Sequence, residues 1–179
     1  PTCIKNKIDS FKVKEIHVEK TLAGSTEIPD LQLAKIDTPI RISFNYKVDV
    51  NTVSTNDSST DCKGSVLLAK HEDVTFETVN GTRVLKELNT CIPLIKTIKA
   101  IDEKTIEIQP TKKLEFLSTY YIRVKTDIKT SEATAGLSPN LFQQRDQSFI
   151  TIPDPNTELD PAAMQRIVKE YIGFSFIST

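Results

Sequence analysis

The sequence predicts an all-β fold, built as a two-sheet antiparallel β-sandwich with one short α-helix near the C-terminus. Three observations support this prediction. Apolar residues recur at every second position in short runs, polar or Gly-containing turns bound those runs, and no long helical pattern precedes residue 160. Strands that recur at intervals of roughly 10–20 residues are typical of two packed sheets.

The N-terminal quarter of the chain predicts two strands joined by a long crossing loop. Residues 1–10 form a polar leader, and the alternation over 11–18 predicts the first strand. Residues 19–38 contain Gly, Pro and polar residues and predict the loop. The alternation of Ile and Phe with polar residues over 40–44 predicts the second strand.

The middle of the chain predicts two hairpins. Residues 74–79 lead into the Asn-Gly pair at 80–81, the strongest short hairpin signal, and 82–85 supply the return strand. The short polar segment between 97–101 and 105–109 predicts the second hairpin. Four further runs complete the series of strands, at 66–69, 92–95, 120–124 and 148–152.

In the C-terminal segment the apolar residues no longer recur at every second position but at helical spacing. Asp160 and Pro161 resemble a helix N-cap followed by proline at the first helical position. Apolar residues then recur at helical spacing as far as Gly173, so the sequence predicts a helix of about 12 residues. We expect the helix to pack on its own domain, and the alternatives are that it docks on a partner or begins a linker. The last residues, 174–179, alternate like one more strand. The predicted organisation is a leader at 1–10, a β-sandwich domain at 11–153, and a helix with its tail at 154–179.

Composition and charge exclude two classes of function. The 179 residues carry 23 basic and 24 acidic side chains, a formal net charge of -1. Such a balance supplies no overall basic field for phosphates, which argues against nucleic-acid binding. No run approaches the ~18 apolar residues that a membrane-spanning helix needs.

Catalytic and metal-binding patterns are weak. Only His17 and His71 are available as general bases, and His17 lies in an alternating strand pattern with its side chain toward solvent. His71 lies in a charged turn, and a hydrolase that uses it is the remaining enzymatic hypothesis. The sequence therefore predicts a protein that is not an enzyme and has no cofactor or metal ion. The oxygen-rich loop that contains Asp49, Asn51, Asp57 and Asp61 is a weak calcium signal, because it lacks the ligand spacing of a calcium-binding loop, and a solvated loop is the favoured interpretation.

The three cysteines bear on the cellular compartment. Their spacing does not match a zinc site. Cys62 and Cys91 each begin an apolar stretch, so the residues allow either a bridge between two strands, in an oxidising compartment, or two buried thiols. Cys3 lies in the polar leader and is a candidate for a lipid-modified anchor, an intermolecular pairing site or an exposed thiol.

Four segments in order resemble a bacterial Ig-like domain of the type found in S-layer and other bacterial cell-surface proteins. The resemblance implies an Ig-like Greek-key sandwich, in which Tyr120 takes the tyrosine-corner position. Some members of that group carry two cysteines at positions similar to Cys62 and Cys91, which implies a disulfide between them. The segments are DTPIRISFNYKVD at 37–49, KTIEIQP at 104–110, LEFLSTYYIRV at 114–124 and QSFITI at 147–152.

This resemblance implies a non-enzymatic module of an exported bacterial surface protein, located extracellularly or at the cell surface, on the outer membrane or facing the periplasm. The expected role is adhesion, ligand binding or structural display, with a protein or glycan at the cell surface as partner. Membrane attachment is expected only through a lipid anchor at Cys3. The alternative is an accessory or substrate-binding domain of a larger extracellular enzyme. The long crossing at 19–35, the loop at 137–147 and the helix at 160–172 depart from the family pattern, so we expect a specific function to reside there.

Overall fold

Alternating apolar residues form strands over most of the part of the chain that the structure describes. The computed structural model describes residues 8–22, 32–57, 59–97, 102–158 and 160–175. Short 3-10 helices occur at Val50–Thr52 and His71–Asp73, and the α-helix α1 spans Pro161–Ser175. Within these ranges the strands are β1 (Val13–Val18), β2 (Lys20–Leu22), β3 (Gln32–Ala34), β4 (Ile40–Phe44), β5 (Val66–Lys70), β6 (Val74–Val79), β7 (Thr82–Leu88), β8 (Leu94–Thr97), β9 (Thr105–Pro110), β10 (Thr119–Val124) and β11 (Arg145–Ile150).

The strands form two larger antiparallel sheets and two ribbons. The first sheet has the order β1-β4-β9-β8, and the second sheet has the order β11-β10-β5. In the first sheet Ile42 lies opposite both Ile16 and Ile106, so three apolar side chains form one row across it. The ribbons are β2-β3 and β6-β7. The chain is therefore mostly β with one C-terminal helix, as predicted.

The two larger sheets share the main hydrophobic core. Its buried cluster includes Ile40 and Ile42 of the first sheet together with Leu68 and Tyr120 of the second. In β4 the alternate residue Arg41 is exposed, so the period-two pattern of the sequence separates core from solvent. The Tyr120 ring packs in this core, and its hydroxyl accepts a hydrogen bond from the backbone N–H of Glu115 at 2.9 Å.

Strand β10 is buried on both faces, which the alternating pattern does not predict. All six of its residues are buried, including Tyr121 and Arg123 on the face away from the main core. The β6-β7 ribbon covers this second face: Leu85 packs with Tyr121, and Arg123 donates hydrogen bonds to the carbonyls of Leu85 (3.0 Å) and Lys86 (2.9 Å). The ribbon therefore forms a third layer over the second sheet.

Helix α1 packs on the same domain, as predicted. Ile167 and Val168 form a cluster with Leu33 of β3 and Ile150 of β11. The Asp160 side chain accepts a hydrogen bond from the backbone N–H of Ala162 at 3.0 Å, so the predicted N-cap is present. The helix continues to Ser175, so the tail strand predicted from residue 174 is wrong at its start, because Phe174 and Ser175 extend the helix instead.

Several predicted boundaries change or fall outside the described residues. Within the predicted crossing loop, residues 20–22 and 32–34 form the β2-β3 ribbon. The Asn-Gly turn is confirmed: Asn80 has φ 52° and Gly81 has φ 78°, the left-handed conformation that this hairpin turn requires. The strand predicted at 97–101 begins earlier, at Leu94 in β8, and its residues 98–101 lie outside the described ranges. The other predicted segments outside these ranges are leader residues 1–7, loop residues 23–31 and tail residues 176–179.

Candidate functional site

A cleft of about 460 Å³ lies between helix α1, strand β7 and the 3-10 helix His71–Asp73. The helix contributes most of its lining, because residues spaced by three and four positions share one helical face. His71 and Arg83 form the opposite wall. The lining residues are His71, Arg83, Ala162, Gln165, Arg166, Lys169 and Glu170.

His71 connects the sheet to the helix. Its Nδ1 lies 2.8 Å from the hydroxyl of buried Tyr121, and its Nε2 lies 3.7 Å from a carboxylate oxygen of Glu170. Because a carboxylate only accepts hydrogen bonds, this arrangement favours the proton on Nε2, and Nδ1 then accepts from Tyr121. Burial lowers the pKa of His71 below its ordinary value, and nearby Arg83 lowers the pKa further, although Glu170 opposes both. The imidazole is therefore neutral at pH 7.

Glu170 is the acidic residue of the cleft, and it is already engaged. Thr119 of β10 donates a hydrogen bond to its carboxylate at 3.2 Å, and Arg166 one helical turn earlier lies 3.5 Å from it. Its side chain is only 18% exposed. These contacts attach the helix to the second sheet and hold the carboxylate against the back of the cleft.

The basic side chains of the cleft are only partly compensated. The Arg83 guanidinium lies over the Phe76 ring, 3.7 Å from its centroid. Among the described residues, neither Arg83 nor Lys169 has a carboxylate within salt-bridge distance, whereas Arg166 pairs with Glu170. The lining contains three cationic side chains, Arg83, Arg166 and Lys169, and one carboxylate, Glu170. Because His71 is neutral, the cleft carries an excess of two positive charges. This local excess contrasts with the nearly balanced charge of the whole chain.

A disulfide joins Cys62, in the loop before β5, to Cys91, after β7, with an S–S distance of 2.10 Å. This is the pairing that the family resemblance implies. Cys91 is buried and packs against Leu67 and Ala69 of β5. The bridge therefore holds the chain on either side of the β6-β7 ribbon, whose strand β7 carries Arg83. Cys3, the candidate lipidation site, lies outside the described residues.

The other sequence-predicted positions lie elsewhere. His17 is exposed on β1 and lies 4.0 Å from Glu15. Among the described residues there is no cluster of three or more metal-ligating side chains, and Asp49 instead caps a 3-10 helix by accepting a hydrogen bond from Asn51. No described residue of the 137–147 loop lines the cleft, although that loop exposes Phe142.

Sequence reasoning identified His71 and the helix but missed the basic residues of the cleft. The sequence does place four polar residues on one face of α1, because their helical spacing forms a stripe opposite the apolar face; these residues are Gln165, Arg166, Lys169 and Glu170. Arg83 gives no such signal. It reaches the cleft only because the β6-β7 ribbon folds over the second sheet.

Comparisons with known proteins leave the family unassigned. No protein-family model matches the chain, and a search of curated proteins found no match. In the part of the chain that the structure describes, no helix has the length and apolar character needed to cross a bilayer.

Proposed function

We propose that this chain is a non-enzymatic Ig-like module of an exported bacterial surface protein, and that it binds a ligand in the cleft between α1 and β7. The observation that carries the binding role is the pair of uncompensated cations, Arg83 and Lys169, on the two walls of a cleft built from regular elements. Sites on helices and strands hold their side chains more precisely than sites on loops.

The strand order supports an Ig-like sandwich. Constant-type Ig domains place strands A, B, E and D in one sheet and strands C, F and G in the other. With the two ribbons set aside, β1-β4-β9-β8 corresponds to the first set, and β5-β10-β11 corresponds to the second. Tyr120 supports the same proposal, since a buried ring with its hydroxyl bonded to upstream backbone is the tyrosine-corner arrangement.

The disulfide supports export. Disulfides persist in oxidising environments such as the periplasm and the cell exterior, and they are rare in the cytosol of mesophiles. The Cys62–Cys91 bridge therefore favours a location outside the cytoplasm. Lipid attachment at Cys3 remains part of the proposal, as the route by which such a module would reach a membrane.

The surroundings of His71 favour binding over hydrolysis. The base of a serine or cysteine hydrolase needs a side-chain nucleophile within hydrogen-bond reach. Here Nδ1 contacts the Tyr121 hydroxyl, and Nε2 faces Glu170. Among the described lining residues of the cleft there is no Ser, Thr or Cys. Replacing His71 by Ala is therefore expected to leave hydrolysis of ester and glycoside test substrates at the background rate.

Two experiments test the proposal. Protease treatment of intact cells should digest the native protein, and protection until the cells are lysed would contradict surface exposure. A combined glycan and peptide array should yield a ligand whose binding is lost in Ala162→Trp, which fills the cleft from an exposed helical position. Lys14→Trp, on the exposed face of β1, is the control and should bind normally. A blank array, or equal binding by both variants, would overturn the binding role.

A further inference from the structure

We propose that the ligand of this cleft is a saccharide that carries carboxylate or sulfate groups. This inference rests on the proposed binding role of the same cleft and adds the chemistry of the ligand. It follows from the charge, the position of the cations and the polarity of the lining.

The charge of the cleft favours an anion. Arg83 lines the β7 wall and Lys169 lines the helix wall, and among the described residues neither has a carboxylate within salt-bridge distance. Glu170 is engaged by Thr119 and Arg166. An anionic group placed between the two walls would form charge-assisted hydrogen bonds with both cations, which are roughly twice as strong as neutral ones.

Arg83 is oriented for planar recognition. Its guanidinium lies over the Phe76 ring, and Phe76 itself packs edge-on against Tyr121 at 5.5 Å between centroids. The aromatic contact restricts the side chain while leaving the N–H edge of the guanidinium for a ligand. Arg in this state binds carboxylate and sulfate oxygens in a bidentate manner, with little further loss of side-chain entropy.

The lining favours a saccharide over a peptide. Grooves that bind amphipathic helical peptides use pockets for apolar anchor residues, whereas Ala162 is the only apolar side chain among the described residues that line this cleft. Arg clusters also bind acidic peptides, so hexaglutamate is the peptide competitor in the test below. Gln165 offers an amide that both donates and accepts, and no described residue hydrogen-bonds to that amide. Sugar hydroxyls match such a group. The volume of about 460 Å³ lies in the range of small-ligand sites.

The test is a titration monitored by amide chemical shifts and calorimetry. The probes are a galacturonic-acid hexamer, a sulfated heparin-derived hexasaccharide, neutral maltohexaose and hexaglutamate. The two acidic saccharides distinguish carboxylate from sulfate as the source of the anionic group. We expect at least one of them to bind at α1 and β7, and maltohexaose not to bind.

Charge-removing variants test the site itself. Arg83→Gln and Lys169→Gln should each weaken binding about tenfold, because each removes one charge-assisted contact. Lys14→Gln removes the same charge from the exposed face of β1 and should bind like the wild type. Matching urea midpoints would establish that the variants are folded.

Four outcomes would overturn the inference. They are equal binding of maltohexaose, equal or tighter binding of hexaglutamate, an equal loss in Lys14→Gln, and no binding of either acidic saccharide. The first two would leave a ligand in the cleft, so the proposed binding role would survive them. That role fails only when the complete array shows no cleft-dependent ligand.

Discussion

For removal of the Cys62–Cys91 bridge, the change in the free energy of unfolding can be calculated from the structure. The bridge joins residues 29 positions apart. In the chain-entropy model a closed loop of that length removes about 12 cal/mol/K from the unfolded ensemble, which corresponds to about 3.6 kcal/mol at room temperature. We therefore expect reduction of the wild-type protein to lower the free energy of unfolding by about 3–4 kcal/mol.

The assay is equilibrium urea unfolding of the oxidised and reduced wild type, with Cys62→Ala/Cys91→Ala as a second comparison. The reduced protein keeps both side chains, whereas the double variant also loses packing of Cys91 against Leu67 and Ala69, so it should be somewhat less stable still. Mass spectrometry without reductant should show the oxidised chain two hydrogens lighter than the reduced one. Two freely alkylatable thiols at these positions, or a loss below about 1 kcal/mol on reduction, would refute the reasoning.

Three further substitutions probe the main core, the β6-β7 ribbon and the titration of His71. Tyr120→Phe should destabilise the fold by about 1–3 kcal/mol in urea titrations, because the buried hydroxyl no longer accepts from Glu115, and an unchanged midpoint would contradict this. Arg123→Gln should cost about 3–5 kcal/mol, since it leaves Asp146 without its partner and detaches the β6-β7 ribbon; retained ribbon amide protection in hydrogen exchange would argue against that role. The pKa of His71 is lower in the folded state than in the unfolded state. Neutral His71 therefore contributes to the free energy of unfolding above the unfolded-state pKa, and this contribution is lost as the pH falls through the folded-state pKa. The free energy of unfolding should therefore decrease as the pH falls below about 6.5, the ordinary pKa of histidine, and His71→Gln should flatten that slope.

Local sequence signals predicted the elements in which neighbouring residues determine the structure. The Asn-Gly turn requires positive φ at both positions, and these residue types adopt it readily. Asp160 caps α1 within two residues of itself. The alternation in β4 distinguishes core from solvent because one face of the strand is buried and the other is not.

The same rules fail where a strand is covered on both sides. Periodicity places Tyr121 and Arg123 on the face of β10 opposite Tyr120, but it does not show that this face is also buried, beneath the β6-β7 ribbon. The local pattern of β10 contains no information about the ribbon, which begins more than thirty residues earlier in the chain. Arg123 instead meets Asp146 of the neighbouring strand, a pair that only the register of β10 and β11 brings together.

By itself, the sequence determined the β-rich class, the turn at 80–81 and the capped C-terminal helix, because each depends on side chains within a few residues of one another. The tertiary structure decided the cleft. Arg83 and Lys169 are separated by more than eighty residues, and they line the same cleft only because the ribbon and the helix pack on the same sheet. A balanced total charge therefore conceals a local positive excess, since the electrostatic field in a cleft depends on which charges folding brings together.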